Sequence, residues 1–104
     1  MEKSELKGKI KYHFSGKLWK DGQGGGWCFV TVPENMSKEI RENFQWQEEG
    51  WGRMKTVALV NGIQWNTSIW FDKKKNRYLL PMRADIRKSA HLKLDDTINV
   101  DLFI

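Results

Sequence analysis

The side chains that could do acid–base or nucleophilic chemistry are few and scattered in this sequence. His13 and His91 lie far apart, and no motif joins either one to Cys28 or to a carboxylate. Ser68 sits inside an alternating strand pattern and lacks the strand–turn–helix elbow that activates a serine. The acidic pairs Glu48-Glu49 and Asp95-Asp96 fall in loops, where such pairs stay solvated. No histidine, cysteine or carboxylate spacing matches a metal site. Cys28 is the single cysteine, which excludes an internal disulfide and suits a reducing compartment. The run Asp21-Gly22-Gln23-Gly24-Gly25-Gly26 has the glycine content of a phosphate-cradling loop. Such a loop must lead into a helix N-terminus, whereas Trp27-Cys28-Phe29-Val30-Thr31-Val32 reads as a strand. The run is therefore expected to be a flexible hairpin connection. No catalytic residue, metal or cofactor is assigned, and a non-enzymatic protein is expected.

Binding chemistry is better represented. Trp51 and Trp65 stand near Thr67 and Ser68, and an aromatic wall with one or two hydroxyls suits a small-ligand or protein-binding site. The alternative is that these tryptophans simply fill a small barrel. The second candidate is electrostatic. Residues 1–52 balance eight Lys/Arg against eight Asp/Glu, so the second half carries the whole net charge of +5. Lys73, Lys74, Lys75, Arg77, Arg83, Arg87 and Lys88 supply a basic field that points to an anionic partner such as nucleic acid.

These residues need elements to position them. A chain of 104 residues makes one domain, expected over 9–104 behind a flexible N-terminus at 1–8. Six Trp, five Phe and two Tyr supply core volume. No apolar run approaches the ~20 residues of a membrane span, and Met1 to Leu6 has no apolar leader, so a cytoplasmic location without membrane contact is expected. Alternation over Lys9 to Trp19 predicts the first strand, and Trp27 to Val32 the second. Ser37 is a plausible N-cap for a helix over Lys38 to Phe44, with Met36, Ile40 and Phe44 as its apolar stripe. Arg53 to Val60, Asn61-Gly62 and Ile63 to Phe71 form the clearest hairpin signal. After a basic turn at 72–76, a strand runs from Arg77 to Leu80. Pro81 fits the first position of a helix that buries Met82, Ile86 and Ala90, with an Asp85–Lys88 pair on its surface. Thr97 to Ile104 is the last strand. Around six or seven strands and two short helices make an all-β domain.

Strand, proline, Ile-Arg helix and strand occur twice, with Pro33 and Pro81 48 positions apart. Two copies of one unit would pair into a pseudo-two-fold barrel. In the second copy, Asp72, Arg77, Leu80-Pro81, Ile86-Arg87-Lys88, Asp95-Asp96 and Ile98-Asn99-Val100 follow a familiar order. It resembles the half-barrel of the AbrB and MazE transcription factors, with Asn76 where that family has glycine. The whole of 10–104 is similar to a small bacterial and archaeal domain family of unknown function associated with YdeI/OmpD-type domains. The resemblance rests on Phe14-x-Gly16, Gly26-Trp27-x-Phe29-Val30, Pro33, Gly50-Trp51-Gly52, Val60-Asn61-Gly62, Trp65-x-Thr67-Ser68 and Tyr78-x-Leu80-Pro81. It implies a single-chain double-split barrel capped by two helices, and no particular activity. The AbrB likeness implies DNA binding through Arg77, Arg87 and Lys88. Against it, Trp27 and Glu42 stand in the first copy where a two-fold reader of DNA would need basic residues. The expectation is thus a non-enzymatic module for a small ligand or protein partner, monomeric or weakly dimeric, with an AbrB-like DNA-binding regulator as the alternative.

Overall fold

A computed structural model describes residues 6, 8–22 and 26–104. Most of the expected N-terminal segment and the centre of the glycine run lie outside the described residues.

Six strands close into one antiparallel barrel. They are β1 (Lys11–Lys20), β2 (Cys28–Thr31), β3 (Arg53–Val60), β4 (Ile63–Asp72), β5 (Arg77–Pro81) and β6 (Thr97–Phe103), in ring order β1-β2-β5-β4-β3-β6. Closure gives every strand a neighbour on each side. Two helices, α1 (Glu34–Phe44) and α2 (Ala84–Ser89), follow β2 and β5. Alternating side chains from all six strands fill the interior. Leu18, Val30, Met54, Ala58, Ile69, Tyr78, Leu80, Val100 and Leu102 are fully buried there. Ile40 of α1 and Ile86 of α2 complete this core. Among the described residues no helix is long and apolar enough to cross a membrane.

The long first strand of each half changes partner near its end. β1 pairs with β6 over Lys11–Lys17 and with β2 over Leu18–Lys20. β4 pairs with β3 over Ile63–Trp70 and with β5 over Trp70–Asp72. Exchanging β1 with β4, β2 with β5 and β3 with β6 returns the same ring order. Where β1 turns toward β2 the backbones are close. A Cβ on Gly16 would stand 2.9 Å from Val30 Cγ1 and 3.3 Å from the Thr31 carbonyl oxygen.

Local chemistry explains the turns. Asn61 (φ 49°) and Gly62 (φ 79°) both take the left-handed conformation that a type I′ hairpin demands. The Asn61 amide also donates to the Ala90 carbonyl at 2.9 Å, tying this hairpin to the end of α2. In the β4–β5 turn, Asp72 Oδ1 accepts the Lys74 and Lys75 amides at 3.0 and 3.4 Å, and Asn76 supplies the positive φ of 59°.

Three local expectations are corrected. Helix α1 starts four residues before the expected Lys38, at Glu34 with Pro33 as N-cap, so Ser37 lies inside it. There the Ser37 hydroxyl donates to the Val32 carbonyl at 3.2 Å and accepts the Tyr78 amide at 3.0 Å. It links α1 to the crossing of β2 and β5. Pro81 does not open a helix. It closes β5, because Phe29 pairs with it and the Met82 amide donates to Cys28, holding the chain extended until Arg83 caps α2. Asp85 pairs with Arg83 and not Lys88. Its two oxygens accept Arg83 Nε at 3.0 Å and Nη2 at 2.7 Å, and Oδ1 also accepts the Ile86 amide.

Candidate binding surface

The four residues of the expected ligand site are placed in different directions. Trp65, only 8% exposed, points inward with the core residues, and its indole N–H has no hydrogen-bond partner. The side chain of Trp51 lies outside the described part of the structure. Thr67 alternates with Trp65 on the inner side of β4, while Ser68 turns outward, and both are half-buried. Thr67 and Ser68 border a shallow concavity of about 600 Å³ with Lys55, Asn66 and Arg83.

The basic residues divide into two groups. Lys73, Lys74 and Lys75 are exposed on the β4–β5 turn, where Arg77 begins β5 and its Nη2 lies 3.5 Å from Glu34. Arg83, Arg87 and Lys88 lie at the other end, past β5, whose five residues span about 13 Å at ~3.3 Å per step. Arg83 is engaged by Asp85, and this bidentate bond holds the Asp85 carboxyl below the usual carboxylate range. Arg87 Nε donates to the Met82 carbonyl at 3.0 Å.

Between these groups lies a feature absent from the expectations. Trp19, Phe29 and Trp70 face outward from β1, β2 and β4, and Trp27, just before β2, joins them. Trp19 lies 5.2 Å from Phe29, Phe29 5.6 Å from Trp70, and Trp27 5.4 Å from Trp70, measured between ring centroids. Registers explain the cluster: Trp19 is opposite Phe29, and Trp70 is opposite Leu79, two residues along β5 from the partner of Phe29. The Trp19 indole is fixed by a 2.8 Å hydrogen bond to Thr31 Oγ1. Phe29 is buried under its neighbours, but Trp27 remains 52% exposed. Cations ring the cluster. Lys75 Nζ stands 5.1 Å above the Trp19 ring. Arg53 is the cross-strand partner of Trp70 and shares a concavity with it, Asp72 and Leu79. Arg83 and Arg87 border a hollow of about 270 Å³ with Trp27. Alternation along β4 already set Trp70 among Gln64, Asn66 and Ser68 on the polar side, which was the available signal.

A second polar cluster lies between α1 and the barrel. The Arg41 guanidinium sits 3.8 Å over the Phe71 ring, with Nε 3.5 Å from Glu48 Oε2. The buried Tyr78 hydroxyl donates to the same Glu48 oxygen. Burial, and then this bond and the Glu48 charge, push the Tyr78 phenol well above its ordinary range. A cleft of about 560 Å³ opens beside it, lined by Lys38, Arg41, Gln45, Phe71, Asn76 and two glutamates.

Of the possible acid–base groups, His13 meets a carboxylate, while Cys28, His91 and Ser68 lie on other elements. Closure of the barrel places His13 opposite Asp101, with Nδ1 2.6 Å from Oδ1, a pair sequence spacing does not reveal. It is a cross-strand contact on the outside of the barrel, and the neighbouring Ser15 hydroxyl donates to Asn99 Oδ1. Cys28 is buried, and His91 is exposed on the loop after α2. Among the described residues no three His, Cys, Asp or Glu side chains converge as metal ligands would.

No curated protein matches the chain in sequence. The chain belongs to the family described as Domain of unknown function (DUF1905), which matches residues 14–102. The match takes in four of the six strands whole and most of β1 and β6, with both helices and all four rings of the outer cluster.

Proposed function

We propose that this domain is a non-enzymatic binding module and that its binding surface is the outer cluster of Trp19, Trp27, Phe29 and Trp70. One observation carries the reading. Trp27 stays half exposed although two aromatic neighbours, Phe29 and Trp70, adjoin it and the barrel interior is already filled. A contiguous apolar patch of this kind on an otherwise charged surface marks an interaction site. The rings offer a flat face to a planar ligand or to an apolar side chain of a partner. What supports binding over catalysis is position: Cys28, His91, Ser68 and the His13–Asp101 pair lie on separate parts of the fold.

The finer topology follows the same line of support. The exchange symmetry of the ring order, and the change of partner along β1 and β4, favour a pseudo-two-fold, double-split arrangement of two related units. The AbrB-like reading of DNA draws less support, because its basic residues stand at opposite ends of β5.

The test is a titration with adenosine as a neutral planar probe, read by the indole N–H signals in NMR spectra. The signals of Trp27 and Trp70 are expected to shift together, while those of Trp46 and the buried Trp65 stay fixed. Shifts confined to residues of the α1 cleft, or no shifts at millimolar probe, would overturn the assignment.

A further inference from the structure

We infer that the occupant of the aromatic surface is single-stranded nucleic acid, an inference that rests on the surface proposed above. Aromatic faces alone would accept many ligands, and the surrounding charges narrow the choice. Lys75 lies over Trp19, Arg53 is directly across from Trp70, and Arg83 and Arg87 share a hollow with Trp27. Lys20 runs along Gly26 beside Trp27, its Cε 2.7 Å from where a Cβ would be. Asp21, whose amide donates to the Trp27 carbonyl at 2.8 Å, Asp72 and Asp85 lie nearby. Asp72 is held by the amides of its own turn, and Asp85 by Arg83. Arg83 and Asp85 offset each other, and Lys20, Arg53, Lys75 and Arg87 outnumber Asp21 and Asp72, so the patch is apolar at its centre and net positive around its margin. Bases stacked on indoles and phosphates led along flanking cations are how sequence-tolerant single-strand sites work.

Shape selects a single strand over a duplex. The rings lie on the outer wall of a closed barrel, which inserts neither a helix nor a β-ribbon into a groove. Paired bases hide their faces in the stack, so only unpaired bases can lie on Trp27 and Trp70. From Lys75 to Arg83 the surface spans little more than β5, enough for about four nucleotides, the low end for a small barrel.

The test uses the full chain with fluorescein-labelled dT12, rU12 and a 12-base-pair duplex, followed by anisotropy. Either single strand is expected to bind at least ten-fold more tightly than the duplex. With about three phosphates neutralised, log K should fall against log salt with a slope near −2. Trp27→Ala should weaken binding roughly 10-fold, within the range for loss of one stacked base. Since Trp27 is half exposed, this change leaves the core intact, and circular dichroism checks that it does. Lys75→Ala, which keeps every ring, should reduce the salt slope by about 0.7. Equal affinity for the duplex, indifference to Trp27→Ala, or no binding at ~50 mM salt would overturn the inference. If adenosine still shifts the Trp27 and Trp70 signals while oligonucleotides bind no tighter than adenosine, nucleic acid is excluded and the surface stands. If neither probe shifts them, both fail.

Discussion

Ser37 gives the sharpest test of the packing. Its hydroxyl is fully buried, donating to the Val32 carbonyl at 3.2 Å and accepting the Tyr78 amide at 3.0 Å. Ser37→Ala removes the acceptor and leaves the Tyr78 N–H buried without it. An orphaned buried donor costs about 1–3 kcal/mol. The longer bond to Val32 adds little, and alanine's better helix propensity returns about 0.5 kcal/mol. The net expectation is a loss of about 2 kcal/mol, or about 10 °C in Tm for a domain of this size. Urea unfolding followed by tryptophan fluorescence measures it, and the m-value should not change. A loss under about 0.5 kcal/mol, that of an ordinary surface change, would refute the bridging role.

Ser37→Gly separates this role from the N-cap that the sequence suggests. At an N-cap, glycine replaces serine at a cost of only a few tenths of a kcal/mol, and is better than alanine. Inside a helix it is about 1 kcal/mol worse than alanine. The bridge therefore predicts the order Ser, Ala, Gly from most to least stable. The order Ser, Gly, Ala would refute it whatever the absolute values.

Three other outcomes follow from the geometry. Tyr78, and to a smaller degree Tyr12, have phenols raised by burial, so above pH 10 the unfolded chain releases protons that the folded chain keeps. Stability should fall as pH rises beyond 10, and Tyr78→Phe should lower the steepness of that fall by about one proton in pH-dependent urea unfolding. Gly16→Ala forces a methyl against Val30 and the Thr31 backbone, and should cost about 1–3 kcal/mol by chemical denaturation, whereas alanine at open Gly22 should be tolerated. Asn76, at φ 59°, should lose about 1 kcal/mol as alanine and little or nothing as glycine, measured by the shift in Tm.

How far the sequence was legible depended on the range of the information. The β3–β4 hairpin was clear because Asn61-Gly62 fixes the turn and alternation fixes the register, both within a few residues. The burial of Met82, Ile86 and Ala90 was legible too, although Met82 precedes α2 and does not lie on a helical stripe. Ser37 was misread because a serine before an apolar stripe has the same local signature whether it caps a helix or lies within one. Only β5, about forty residues later, supplies the amide that it accepts. Pro81 was misread similarly: φ near −65° suits a first helical residue and a last strand residue alike, and pairing with Phe29 decides between them. The His13–Asp101 contact depends on barrel closure and has no local trace.

The outer aromatic surface was half legible. The segments Leu18-Trp19-Lys20-Asp21 and Ile69-Trp70-Phe71-Asp72 are alike, and each stands where a long strand changes partner. That likeness was available as a second sign of the repeat. That their tryptophans converge on Phe29 follows only from the pairing of β2 with β5, which joins the two halves. This pairing also changes the meaning of the charge asymmetry. Seen along the chain, a neutral first half argues against a two-fold reader of DNA. On the folded surface, the first half supplies three of the four rings, and the second supplies Trp70 with Arg53, Lys75, Arg83 and Arg87 around them. Most of the stacking surface comes from one half, with Lys20, and most of the positive margin from the other. The two units are therefore complementary rather than redundant. If the surface works as inferred, charge reversal in the second half and ring removal in the first should each weaken the same binding event.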